Sequence, residues 1–154
     1  MKNTLQAYLP EALKDAANEL IAAYESLPED KRETSPGGKA RTPKALVAEC
    51  AFMNLNMHML LESKQWPDFF NTEYVSENEK LQALSWEELK AKLLEGAENV
   101  GKAIAAVPAE DVDTVIQYPW TTYTLADTMM YPYWNMMYHQ GQIIYLSTML
   151  ETAE

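Results

Sequence analysis

Apolar positions recur every three or four residues along most of the chain, the spacing that gathers them on one face of an α-helix. From Leu5 to Leu27 they fall at Leu9, Leu13, Ala16, Leu20, Ile21, Tyr24 and Leu27, and Pro28 stops the run. Pro10 lies in the first turn or two, where a missing N–H costs little. A polar loop centred on Pro36-Gly37-Gly38 follows. Thr42-Pro43, an N-cap hydroxyl before a proline, opens a second predicted helix that runs to Ser63 through Leu46, Val47, Cys50, Met53, Met57, Leu60 and Leu61. Lys64 to Leu84 carries aromatics without a clean period and reads as a long connection, with room for a short helix and enough length to cross the molecule. Ser85 and Glu88 form a capping box for a third helix bearing Leu89, Leu93, Ala97, Val100, Ile104 and Val107, ended by Pro108. Thr124 and Asp127 repeat the motif with aspartate and start a last helix, Leu125 to Leu150. A short extended piece is expected at Val115 to Tyr118. The fold class is therefore all-α: a four-helix bundle with a long connection between helices two and three, one domain over residues 1–154.

Composition narrows the function classes. Twelve basic residues against 23 acidic ones leave a formal charge of −11, which repels phosphate backbones and anionic membrane surfaces. Neither a nucleic acid nor a membrane is an expected partner, and no apolar run approaches the ~18 residues of a membrane span. The N-terminal stretch acquires acidic residues before any long apolar block, unlike a secretory signal, and Cys50 alone cannot form an internal disulfide. The expected location is cytoplasmic. The nine methionines cluster on helices two and four, either as adaptable core packing or as the lining of a deformable apolar pocket.

The last helix holds the most unusual stretch, Asn135 to Gln142. Asn135 and His139 are four residues apart, about 40° around a helix, so their side chains leave one face a turn apart, as paired metal ligands do in bundles. Gly141 costs a helix about 1 kcal/mol and is expected to admit another helix or a ligand. Pro132 removes a bond to the carbonyl of Thr128 and is expected to kink the helix before Asn135.

Asn135, His139, Gly141, Gln142, Ile143 and Leu146 resemble the last-helix signature of the DinB-like (damage-inducible) superfamily, His-x-x-x-His-x-Gly-Gln followed by Ile and Leu. RTPKALVAECA resembles the family's helix-two signature and places Glu49 where the family has a histidine. AAVPAEDVDTVIQYP before a Thr-Leu-x-Asp helix start is similar as well, so the resemblance spans essentially the whole chain. It implies a bundle fold, homodimers, and metal-dependent chemistry of thiol-transferase or hydrolase type on a small molecule. In metal-binding members three histidines hold a divalent ion such as zinc or nickel. Here His139 is kept, and Glu49 and Asn135 stand at the other two positions.

Three readings of Glu49, Asn135 and His139 stay open: a polar cluster in a former metal pocket, an altered site for a harder divalent ion, or metal-free acid/base catalysis with Glu49 as base. Cys50 points about 100° away from Glu49, and His58, about 180° around the same helix, reads as a surface or crevice histidine. Tyr131, Trp134 and Tyr138 are candidates for lining a cleft. The competing class is a metal-free, non-enzymatic family member that binds a small apolar ligand or a partner helix in the cleft between helices.

Overall fold

The computed structural model describes residues 4–151. Helix α1, Leu5–Ser26, begins on Thr4, whose Oγ1 accepts the Ala7 N–H. Helix α2, Pro43–Ser63, begins on Thr42, whose hydroxyl accepts from Ala45 N, with Pro43 in the first turn. The α2 C-cap Lys64 turns into the left-handed region at φ 55° and leads into two short helices, α3 (Asp68–Thr72) and α4 (Tyr74–Ala83). Helix α5, Trp86–Ala105, carries the expected capping box, with Ser85 N donating to Glu88 Oε2 at 2.9 Å. After α5, strand β1 (Val115–Gln117) pairs antiparallel with β2 (Thr122–Thr124), Ile116 opposite Tyr123. Helix α6, Leu125–Glu151, starts on the reciprocal Thr124–Asp127 cap and runs through Pro132 as one helix.

The four long helices bury the faces that their periodicity marks, from Leu9, Leu13 and Leu20 on α1 to Leu89, Leu93, Val100 and Ile104 on α5. Helix α1 packs on α5 and α6, α2 packs on the same two, and α1 barely meets α2. Helices α1 and α2 are thus diagonal partners. The 64–84 link, although long enough to cross the molecule, joins the neighbours α2 and α5, and the connection from α1 to α2 spans the diagonal. The link is ordered into α3 and α4, giving six α-helices among the described residues, of which the four long ones are those expected.

Glycine placement shows why α2 and α5 pack so closely. A Cβ on Gly96 would lie 2.8 Å from Asn54 Cβ and 2.9 Å from the Leu55 backbone nitrogen, so α5 lies on the α2 backbone there. Gly141, expected to serve a close approach, is exposed, and a Cβ there would have nothing within 4 Å. Gly96→Ala is therefore expected to destabilise the fold by up to about 2 kcal/mol, overpacking of about 1–3 kcal/mol less the helix gain of about 1 kcal/mol. Gly141→Ala has only the helix gain and is expected to stabilise by about 0.5–1 kcal/mol. Urea denaturation of the two variants checks both signs; the same sign for both would refute the packing argument.

Candidate functional site

Glu49 lies two turns into α2 and His139 at the middle of α6, and the packing of these helices brings the two side chains together. His139 Nε2 is 3.4 Å from Glu49 Oε1, and its Nδ1 is 2.7 Å from Gln142 Oε1, one turn further along α6. His139 is 2% exposed and the Glu49 side chain 14%. The other Glu49 oxygen, Oε2, accepts from Arg41 Nη1. A carboxylate only accepts, so the imidazole must donate from Nε2 to bond Glu49. With Nδ1–H donating to the Gln142 oxygen, that requires a cationic ring. With the Gln142 amide turned end for end, the neutral Nε2–H tautomer satisfies the same contacts.

Burial pushes the Glu49 carboxyl upward, but hydrogen bonds from His139 and Arg41, and the guanidinium charge, outweigh it and hold the group at about 2. Neighbouring phenols respond in the opposite sense. Tyr131 is pushed up to about 12, first by burial and then by the Glu49 charge, and Tyr74 is raised by the same two causes in that order.

Asn135 shares the buried face of α6 with His139 but turns to a different partner: its Nδ2 donates to Cys50 Sγ at 3.7 Å. Cys50 is fully buried, and desolvation, reinforced by Glu49, raises its thiol well above the usual range, so it is no thiolate donor. His58 sits apart, its Nδ1 2.9 Å from Leu55 O, on the part of α2 turned away from Glu49. Arg41 is the site residue that sequence reasoning missed.

Glu49 and His139 bring together two donors of the kinds that zinc or nickel takes. Such ions take three or four nitrogen, sulfur or carboxylate donors converging on one point. Among the described residues no group of three or more His, Cys, Asp or Glu is placed to do so. At Glu49, the guanidinium of Arg41 holds Oε2.

Beside this cluster opens a cavity of about 510 Å³, with Glu49, Met53 and Met57 on the α2 side. Trp66 and Phe70 come from the link, Tyr118, Trp120 and Tyr123 from the hairpin, and Tyr131 and Trp134 from α6. The hairpin is strapped to the start of α6 by Leu125 N to Thr114 O and Ala126 N to Val112 O, at 2.8 and 2.9 Å. Tyr118 is pinned as well: Thr128 Oγ1 donates to Thr124 O and so accepts from the Tyr118 hydroxyl at 3.1 Å. Tyr131 and Trp134 thus line the cleft as expected, whereas Tyr138 lies outside it, stacked on Trp134 with centroids 5.4 Å apart. The methionines divide between the two expected roles, Met53 and Met57 in the pocket wall and Met129 and Met136 in the core.

No helix among the described residues is long and apolar enough to cross a membrane. No curated protein and no solved structure matches the chain. The family model of the DinB superfamily matches residues 12–143, from α1 to the Gly141-Gln142-Ile143 end of the signature on α6, and the chain belongs to that superfamily.

Proposed function

We propose that this protein is a metal-free binding member of the DinB superfamily, which takes a small, largely apolar molecule into the aromatic pocket beside Glu49. The observation that carries the proposal is the pairing of that pocket with a polar cluster bonded within the protein. Glu49 spends both oxygens on Arg41 and His139, and Asn135 is bonded to Cys50, so the three family ligand positions serve contacts within the protein. The adjoining cavity falls within the roughly 300–1,000 Å³ usual for ligand sites and is walled mainly by aromatic and methionine side chains. Rings supply large contact areas, and methionines adjust to the shape of what enters.

Protein purified without chelator or affinity metal tests the first half by elemental analysis. Far less than one equivalent of any divalent ion is expected, with no change in thermal midpoint on adding a chelator. The neutral fluorophore N-phenyl-1-naphthylamine tests the second half: saturable one-to-one binding is expected, with quenching of tryptophan emission. A stoichiometric ion whose removal lowers the thermal midpoint would restore the metal-dependent reading, and absence of fluorophore binding would remove the pocket from consideration.

A further inference from the structure

Resting on that reading, we infer that the pocket selects a compact organic cation, an alkylated ammonium group on a short apolar body, held against the faces of Trp66, Tyr118, Trp120, Tyr131 and Trp134 with Glu49 as its counter-charge.

The lining of the pocket carries one charged side chain. Glu49 is the one Asp, Glu, Lys or Arg among the described residues of the wall, and it remains ionised across the neutral range. Arg41 bonds Glu49 but lines the neighbouring cleft beside Lys39, so its charge lies behind the carboxylate as seen from the pocket. A carboxylate has about four lone-pair sites, and contacts to Arg41 and His139 leave room for a third partner. An anionic ligand would face this carboxylate, the negative faces of the rings and a chain of net charge −11; a cation is favoured by all three.

The rings of the wall meet at steep angles. Here Trp66 and Trp120 meet at 76° with centroids 5.1 Å apart, Tyr118 and Trp120 at 65°, and Tyr118 and Tyr123 at 83°. These rings pack edge to face on one another, and the wall they form is angular, with aromatic surface around the open rim. Trialkylammonium groups are rounded, carry a diffuse charge and lose little hydration on entry, which is the setting in which cation–π attraction is strongest. Trp120 and Trp134 are 66% and 55% exposed, so the rim is open to solvent and reachable by a head group.

Choline and its neutral isostere 3,3-dimethylbutan-1-ol have the same shape and differ by the charge, and 3,3-dimethylbutanoate supplies an anion of similar size. Titrations read by tryptophan fluorescence and by NMR shifts of the indole N–H signals give the three affinities. Choline is expected to bind at least tenfold more tightly than the alcohol, and the carboxylate more weakly than either. Glu49→Gln is expected to cut the choline advantage to below threefold, and Trp120→Leu, at an exposed position, to weaken choline severalfold. Arg41→Gln frees the carboxylate from its competitor and is expected to tighten choline binding. Loss of choline binding in Arg41→Gln would overturn the inference, as would equal affinities for choline and the alcohol or a preference for the carboxylate. Failure of choline to bind while N-phenyl-1-naphthylamine still does would overturn the cation alone; failure of every probe would overturn the binding reading with it.

Discussion

Phe52→Ala is expected to cost about 3–5 kcal/mol and to abolish the pocket's affinity for an apolar probe. Phe52 is fully buried on α2 and is the ring around which the connecting segment organises. Phe69 lies parallel to it at 6.0 Å, while Phe70 and Tyr74 meet it edge-on at 5.6 and 5.2 Å. Helix α3 has five residues and no side-chain cap, and α4 likewise lacks a capping bond, so local propensity contributes little to either. What holds them is the aromatic contact with α2, at about 0.5–1.5 kcal/mol for each well-placed ring pair beyond simple burial. Removing the central ring leaves a cavity and releases Phe70 and Tyr74, both of which wall the ligand pocket. Urea denaturation gives the stability and titration with N-phenyl-1-naphthylamine the affinity. Phe52→Leu keeps most of the volume and is expected to cost less than about 1.5 kcal/mol, with binding weakened but retained. A loss under about 1 kcal/mol for Phe52→Ala would mean that α3 and α4 are held by something other than α2.

The dependence of α3 and α4 on Phe52 also explains what the sequence conceals. The helix starts at Thr42, Ser85 and Thr124 are visible because each rests on a side chain bonding its own backbone three residues away. Residues 64–84 have no such local signal: Trp66, Phe69, Phe70 and Tyr74 are ordered by rings distant in sequence, so their spacing has no period to find. The hairpin is legible by half, since Val115 to Tyr118 reads as extended but Thr122–Thr124 is strand only through its partner. The two glycines exchange significance for a related reason. Gly141 sits in a conspicuous motif yet faces open space, whereas Gly96 shares the buried face of Leu89, Leu93 and Ala97, a register readable in the sequence. At the site, the meeting of Glu49 with His139 follows from the signature positions. Arg41 precedes the N-cap, where helical spacing says nothing, and it reaches Glu49 only because the loop before α2 folds back along the helix. Asn135 carries no mark of its preference for Cys50, which depends on how far α6 is rotated against α2.

The contact between Arg41, Glu49 and His139 gives the fold a specific acid sensitivity. In an unfolded chain the Glu49 carboxyl titrates near its ordinary value of 4.5, and in the folded protein it is held at about 2. A depressed carboxylate contributes stability that is fully present above the unfolded value and is lost as pH falls through the folded one, so the window runs from about 4.5 down to about 2. The Arg41 side chain is 47% exposed, and solvent screens its share of the attraction, so the contribution at neutral pH is on the order of 2 kcal/mol rather than the full value of the shift. Glu49→Gln is expected to lose about 2 kcal/mol at pH 7, because the amide oxygen still accepts from the buried His139 but lacks the charge that strengthens that bond, while Arg41 turns to water. As the pH is lowered the wild-type carboxylate is protonated too, and the difference between the two proteins is expected to shrink to a fraction of its neutral value near pH 2. Urea denaturation of both proteins at pH 7, 5, 4 and 3 reads this directly. A stability difference that stays constant over that range would mean that Glu49 acts through packing alone, and that the charge it presents to the pocket is not the one inferred from its contacts.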